Sequence, residues 1–160
     1  MTMTKQLSPN WVFVADTVMG GVSTGSVTAT SIKERAAHRL TGHVSLENDG
    51  GFVQMAFDLT GDIAVDDAGD WTGLELDVTG NNETYEVRLR TSQLTKPWQS
   101  FRAEFQASEG WKTVRMPFDG FEAYRHEFSF DPNQLRRIGV LAVGREFQAD
   151  VAVSAIRLYR

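Results

Sequence analysis

The 160-residue chain contains no cysteine, and proline and histidine are scarce, with four and three residues. Without cysteine it can form no disulfide, no thiolate metal site and no cysteine nucleophile. Basic runs are also missing, since the longest is the pair Arg136 and Arg137 and the net charge is −5. Because a nucleic-acid-binding surface needs a basic face for phosphate groups, we expect no nucleic-acid partner.

Long apolar runs are missing as well. No segment approaches the roughly 18 apolar residues of a membrane span. The segment Met1–Asn10 carries neither the apolar core of a secretory signal nor an arginine-rich amphipathic presequence. We therefore expect no membrane insertion and a cytoplasmic location, with which the lack of cysteine agrees.

The composition is that of an ordinary globular domain, with 41% hydrophobic and 23% charged residues. The length suits one core, and no repeat or proline-rich linker divides the chain. We predict a single domain over residues 1–160, with residues 1–9 as a flexible N-terminal tail.

Apolar and polar residues alternate along most of the chain, the pattern that places every second side chain on one face of a β-strand. Glycine and asparagine turns separate these segments, and helical spacing is nearly absent. The predicted strands are Trp11–Ala15, His43–Glu47, Phe52–Asp58, Gly73–Thr79, Tyr85–Thr91, Phe101–Gln106, Lys112–Met116, Ile138–Val143 and Val151–Tyr159. Many short strands without intervening helices predict an all-β fold, a jelly-roll β-sandwich of two antiparallel sheets.

Two further segments have a specific local prediction. Ser31–Leu40 contains tolerable helix formers, but the Thr- and Val-containing Ser26–Ile32 favours a strand, a turn and a second strand. Asp131 and Pro132 predict one short helical turn, with Asp131 as its cap and Pro132 in its first position.

Gly21–Gly25 matches the G-x-S-x-G pattern of a hydrolase nucleophile elbow, with Ser23 as the serine. That motif requires a strand that turns sharply into a helix, whereas Val27 and Thr28 predict a strand after the serine. We favour a loop between strands and assign no catalytic residue. A hydrolase that uses Ser23 remains the least supported alternative.

Metal sites are also disfavoured. The three histidines have none of the close spacings that place two imidazole rings on one metal; they are His38, His43 and His126. A group of carboxylates before Trp71 could suit Ca²⁺ but lacks the EF-hand pattern, so we favour a solvated acidic loop. Its members are Asp62, Asp66, Asp67 and Asp70. We predict no metal and no cofactor.

The polar positions of the central strands define a candidate binding surface. If these strands share one sheet, its solvent face carries arginine and carboxylate side chains beside a tryptophan. The residues are Glu75, Asp77, Glu86, Arg88, Arg90, Trp98, Arg102 and Glu104. Such a face is either a set of cross-strand charge pairs, each contributing roughly 0.2 to 1 kcal/mol, or a platform on which guanidinium groups and an aromatic ring bind a partner.

An ordered set of residues extends from Trp11 to Tyr159 and carries a family resemblance. It comprises Trp11, Asp16, Met19, Gly20, Gly21, Ser23, Gly42, Val44, Ser45, Asn48, Gly50, Gly51, Phe52, Gly73, Leu74, Leu76, Val78, Gly80, Tyr85, Phe105, Gly110, Trp111, Val114, Pro117, Phe118, Ile138, Gly139, Phe147 and Ile156. In this set the sequence resembles the complex I intermediate-associated protein 30 family, whose domain has a galactose-binding-like jelly-roll fold.

The resemblance implies a non-enzymatic binding domain that acts on a protein partner, as a chaperone or assembly factor of respiratory complex I does. It also implies a structural motif of loop-fixing residues: Asp16, Gly20, Gly21, Ser23, Asn48, Gly50 and Gly51. Carbohydrate recognition is the alternative, because the same fold occurs in sugar-binding modules. The chain departs from the family at Asn81 and Asn82, where an acidic residue is common, and it lacks the mitochondrial presequence of eukaryotic members.

Overall fold

The computed structural model describes residues 3–59 and 71–160, and these residues form β-strands joined by turns and short 3-10 helical turns. The strands are β1 (Thr4–Gln6), β2 (Val12–Ala15), β3 (Thr24–Ile32), β4 (Arg35–Val44), β5 (Phe52–Asp58), β6 (Gly73–Gly80), β7 (Glu83–Thr91), β8 (Ser100–Ala107), β9 (Lys112–Pro117), β10 (Glu122–Tyr124), β11 (Leu135–Val143) and β12 (Phe147–Tyr159). Within the described ranges, no helix is long and apolar enough to cross a membrane.

The strands form two antiparallel sheets. Sheet A has the order β3-β4-β12-β6-β9, with β1 also paired to β12. Sheet B has the order β10-β8-β7-β11-β5-β2. The predicted all-β sandwich of two antiparallel sheets is confirmed.

The apolar positions of the alternating pattern form the core between the sheets. Leu40, Leu76 and Ile156 from sheet A are fully buried, as are Val87 and Ile138 from sheet B. Burial of a side chain of this size contributes about 1.5 to 3 kcal/mol relative to exposure. The outward positions of the same strands are therefore fixed by the packing of the inward ones.

The ambiguous segment before Leu40 is a hairpin, as predicted. Strands β3 and β4 pair without interruption from Thr24↔His43 to Ile32↔Arg35. Their two-residue turn, Lys33 and Glu34, has positive φ at both positions, 48° and 67°. Two such residues match the twist of the flanking strands, the geometry of a type I′ turn.

The strand expected over His43–Glu47 is wrong, because β4 ends at Val44 and a 3-10 turn follows at Glu47–Asp49. Asn48 has a left-handed conformation there, with φ 58°, which a strand cannot continue through. The helical turn predicted at Asp131 is confirmed as the 3-10 turn Pro132–Gln134, since Asp131 Oδ1 accepts the Asn133 N–H at 3.0 Å.

Part of the expected N-terminal tail is a strand instead. Strand β1 pairs with the end of β12, from Thr4↔Tyr159 to Gln6↔Arg157, and Leu7 is buried in the core. The reason is that β4 pairs only with Phe147–Val153 of β12. Strand β1 satisfies backbone groups of β12 beyond the point where β4 leaves it.

Candidate functional site

Asp16 is a buried carboxylate that joins two loops. Its oxygens accept hydrogen bonds from the Ser23 N–H at 3.0 Å, the Ser23 hydroxyl at 2.5 Å and the Gly51 N–H at 2.6 Å. Burial alone would raise the pKa of Asp16, but these hydrogen bonds offset that effect and the pKa lies below its ordinary value. Asp16 is thus held as an anion inside the protein.

The Gly-rich sequence around Asp16 makes room for this carboxylate. A Cβ atom at Gly21 would lie 2.5 Å from Asp16 Cγ, and one at Gly50 would lie 2.5 Å from Asp16 Oδ2. Gly20 and Gly51 instead have positive φ, 89° and 137°. Gly21 and Gly50 thus leave space for the Asp16 side chain, whereas Gly20 is exposed.

Ser23 is not placed as a nucleophile. Its side chain is buried, its hydroxyl donates to Asp16, and its oxygen accepts the Ser45 N–H at 2.8 Å. Strand β3 begins at the next residue, so the strand-to-helix elbow is absent at this position.

The eight predicted surface residues do not share one face. Glu75 and Asp77 lie on β6 of sheet A, whereas the charged residues of β7 and β8 lie in sheet B, so the prediction of one continuous sheet is wrong. Asn81 lies between β6 and β7, where the chain crosses from sheet A to sheet B. Its amide donates to the Gln148 carbonyl at 2.9 Å and its oxygen accepts the Tyr85 hydroxyl at 2.6 Å, which ties the crossing point to β12.

On the outer face of sheet A, the charges neutralise one another. Arg157 contacts Glu75 at 2.8 Å and Asp77 at 3.0 Å, Arg115 contacts Glu75 at 2.5 Å, and the Thr113 hydroxyl donates to Asp77 at 2.6 Å. Two cations thus face two anions. We call this group of four charged residues the closed network.

The carboxylates of the closed network are stabilised in their charged form. Burial would raise the pKa of both Glu75 and Asp77. Hydrogen bonds from Arg115 and Arg157 to Glu75, and from Arg157 and Thr113 to Asp77, offset this effect, and both pKa values lie below their ordinary values.

The outer face of sheet B has a different arrangement of charge, and we call it the arginine face. Its members are Glu86, Arg88, Arg90, Arg102, Glu104, Glu122 and Tyr124, on β7, β8 and β10. Arg88 lies directly opposite Arg102, and Glu86 directly opposite Glu104. Like charges in such positions destabilise a sheet. Strands β7 and β8 therefore do not form complementary pairs at these positions, although Arg102 lies opposite Glu122 on β10.

The ion pairs of the arginine face are few and partly open. Arg88 Nε contacts Glu86 within its own strand at 2.9 Å. Arg102 reaches Glu122 only at 3.5 Å, and the Glu122 side chain is 73% exposed. Glu104 is exposed and has no hydrogen bond or ion pair with any residue of the described ranges. The charged groups of this face keep bonding capacity for a ligand.

Tyr124 lies among three arginines. The guanidinium of Arg102 is 4.1 Å from its ring centroid, that of Arg125 is 5.1 Å away and that of Arg88 is 5.2 Å away. A hydrogen bond from Arg125, opposed by burial and supported by the three positive charges, lowers the pKa of Tyr124 below its ordinary value of 10. The alternating pattern does not predict Tyr124, because β10 has only three residues.

Arg90 supports the edge of the face rather than its centre. One of its terminal nitrogens donates to the Lys96 carbonyl at 3.0 Å. Its Nε is buried without a hydrogen-bond partner among the described residues. The carbonyl contact fixes the loop that carries Trp98, whose side chain is 56% exposed.

Gln54 and Gly139 extend the polar surface onto β5 and β11. Gly139 lies opposite Arg88, and a Cβ atom there would be 2.3 Å from Gln54 Oε1. Gly139 therefore makes room for the Gln54 amide beside the arginines. An isolated glycine in an apolar strand is the signal that could have indicated this close approach.

The metal prediction concerns histidine and acidic residues, some of which lie outside the described ranges. No group of three or more His, Cys, Asp or Glu residues within 3–59 and 71–160 could hold a metal ion. His126 Nε2 lies 2.8 Å from the Ser100 carbonyl oxygen, a contact that orients a loop. The acidic group Asp62, Asp66, Asp67 and Asp70 lies outside the described residues.

Comparison with known proteins gives one family and one fold. The sequence profile of the family described as complex I intermediate-associated protein 30 matches residues 2–152. No curated protein sequence matches the chain.

Several solved structures share the architecture at low sequence identity. The family 11 carbohydrate-binding module of a Clostridium thermocellum cellulosomal cellulase is 15% identical, with a TM-score of 0.74, over 98% of this chain and 94% of the module. The same family's module in complex with a β-1,3-1,4-mixed-linked tetrasaccharide is also 15% identical, with a TM-score of 0.71 over 97% and 94%. A family 30 module from C. thermocellum is 15% identical, with a TM-score of 0.60 over 84% and 81%. These likenesses show the predicted jelly-roll fold.

Proposed function

The chain belongs to the complex I intermediate-associated protein 30 family, and from this membership we propose that it is a non-catalytic domain that binds another protein as an assembly factor. The observation that carries the proposal is the arginine face. A fold alone does not fix a function, so this surface provides the specific support for the proposal.

The opposed arginines favour an incoming carboxylate. Arg88 and Arg102 place two positive charges opposite each other, and a partner carboxylate between them would reduce their repulsion. Guanidinium groups offer planar sets of donors that match carboxylates, and Tyr124 adds an aromatic surface. We therefore expect the partner to present Asp or Glu side chains to this face.

The non-catalytic part of the proposal is supported by the position of Ser23. Its hydroxyl donates to the Asp16 carboxylate, and both residues are buried. A serine hydrolase requires an accessible hydroxyl with a histidine in reach.

The proposal is tested by capture of partners from native lysate with the wild-type chain and the double variant Arg88→Ala/Arg102→Ala. Arg39→Ala is the matched control, because Arg39 lies on the outer face of sheet A and pairs with Asp150. We expect one set of proteins to be retained by wild type and control and lost by the double variant. Identical retention by all three chains, or no specific retention, would contradict the proposal.

Carbohydrate binding is the second candidate, and a specific observation favours it. The Trp98 side chain is 56% exposed, and the Gln54 amide has no hydrogen-bond partner among the described residues; aromatic rings and planar polar groups suit sugars. One structural neighbour is described in complex with a β-1,3-1,4-mixed-linked tetrasaccharide. Saturable thermal stabilisation by that sugar, lost in Trp98→Ala, would support this candidate; an unchanged melting temperature would exclude this sugar as the ligand.

The client and the location are finer parts of the proposal. Family membership favours an intermediate of respiratory complex I as the client, and the sequence favours the cytoplasm as the location. Identification of complex I subunits among the captured proteins, and the distribution of a fluorescent fusion, test these two points separately.

A further inference from the structure

Strand β3 is an edge strand that lacks the usual protection against pairing with another chain. It lies at the end of sheet A, and β4 is the strand to which it pairs among the described residues. Its nine residues, Thr24–Ile32, include no charge and no proline, and its register with β4 has no bulge. Most edge strands carry a lysine, a proline or a bulge that prevents further pairing.

The hairpin register shows which backbone groups are free for pairing. In a two-residue hairpin the residues next to the turn, here Ile32 and Arg35, form a hydrogen-bonded pair, and such pairs alternate along the strands. The backbone groups of the alternate positions therefore point away from β4. These positions are Gly25, Val27, Ala29 and Ser31, and seven of the nine β3 side chains are exposed.

We propose that β3 pairs with β3 of a second copy of this chain, antiparallel and centred on Thr28. In that register Val27 lies opposite Ala29 and Gly25 opposite Ser31, so all the free N–H and C=O groups of both strands are paired. A centre at Val27 would leave Ser31 unpaired. The hydrogen-bond pattern of β3 is thus complementary to itself about one residue, as a two-fold interface requires.

The side chains of β3 agree with this occupant. The outward face would place Thr28 opposite Thr28 and Ser26 opposite Thr30, hydroxyl pairs that stabilise antiparallel strands. The chain carries a net charge of −5, yet two copies meet here without charged side chains on either strand. The interface is independent of the arginine face, which belongs to sheet B.

The dimer is tested by analytical ultracentrifugation over a series of protein concentrations. One strand pair buries little surface, so we expect a weak, concentration-dependent dimer. Ala29→Pro removes a free N–H and obstructs the partner strand, while proline is tolerated at an edge. We expect this variant to be monomeric with an unchanged circular dichroism spectrum. A wild-type chain that stays monomeric at the highest concentration would overturn the proposal.

Substitution of Thr28 by residues of opposite charge tests the register of the strand pair. This test remains valid if Ala29→Pro misfolds. Thr28→Lys and Thr28→Glu each place like charges opposite one another, and we expect each dimer to weaken by about fivefold. Mixing the two variants should give more heterodimer than the statistical half, read by native mass spectrometry. Purely statistical mixing would overturn the Thr28-centred pairing.

Thr41→Lys is the matched control. Thr41 lies opposite Ser26 on β4, one strand away from the edge. Two lysines there would be separated by three strand spacings, roughly 14 Å, beyond the screening length of about 10 Å at 0.1 M salt. The control should dimerise as wild type does; equal weakening in Thr28→Lys and Thr41→Lys would count against pairing at β3.

Discussion

The outer faces of the two sheets carry the same residue types in opposite arrangements. On sheet A, Arg157 and Arg115 each contact a carboxylate of β6 at 3.0 Å or less, so the closed network is neutral within itself. On sheet B, Arg88 faces Arg102 across the strands. Arginine and glutamate content alone therefore does not distinguish a stabilising surface from a binding surface; the register between strands does.

The largest expected difference between the faces is in stability. Glu75→Ala leaves Arg157, whose side chain is 17% exposed, with one carboxylate instead of two. Because Arg157 keeps Asp77, we expect a loss at the low end of the roughly 3 to 5 kcal/mol that breaking a buried ion pair costs, measured as the free energy of unfolding in urea. Glu122→Ala is the control on sheet B, because the Glu122 side chain is 73% exposed and reaches Arg102 only at 3.5 Å, and it should cost less than about 1 kcal/mol. Equal costs would remove the distinction between the two faces.

A second difference is in the acid limb of the stability profile. Glu75 and Asp77 have lowered pKa values in the folded chain, so their contribution is complete above the ordinary values of 4.5 and 3.8. It is lost as the pH falls through the lowered values, because the unfolded chain then binds protons more readily. We expect the free energy of unfolding to decline below about pH 4.5, and to decline less steeply in Glu75→Gln.

Glu86→Gln serves as the control in the same titration, because it leaves the closed network and Asp16 intact. Its profile should run parallel to that of the wild type. If Glu75→Gln also runs parallel, the network does not contribute to the acid sensitivity of the fold.

The sequence predicted the faces of single strands better than the way the strands combine. Alternation identified the outward positions of β6 and β7, because inward positions must be apolar in either sheet. The alternation nevertheless predicted Glu75 and Arg88 on one face, because a period of two residues does not indicate which sheet a strand joins. The chain crosses between the sheets at Asn81, whose side chain donates to the Gln148 carbonyl and accepts the Tyr85 hydroxyl.

The parts that were missed are short or depend on tertiary contacts. Strands β1 and β10 have three residues each, too few for a periodic pattern. Tyr124 was therefore not assigned to the surface, although three arginines surround it. The loop motif around Asp16 was identified through family resemblance, since no spacing rule indicates that Gly21 and Gly50 enclose a carboxylate.

The smallest expected effect is spectroscopic, and it compares the tyrosines of the two faces. Arg115 lies 4.5 Å from the Tyr159 ring centroid on sheet A, much as Arg102 lies beside Tyr124 on sheet B. Burial nevertheless raises the pKa of Tyr159. The negative charges of Glu75 and Asp119 raise it as well, and they oppose the lowering effect of Arg115. Tyr85 is buried too, which raises its pKa to about 12. Tyr124 alone among the three has a lowered pKa.

Tyrosinate absorbance during an alkaline titration should therefore show one early ionisation from Tyr124, followed by the others. Tyr124→Phe should remove the early phase, and Arg125→Ala should move it to higher pH because Arg125 provides the largest lowering effect. Arg115→Ala, the matched change on sheet A, should leave the early phase in place. An early phase that persists in Tyr124→Phe would show that another tyrosine ionises first, and would contradict the expectation that the arginine face favours ionisation of Tyr124.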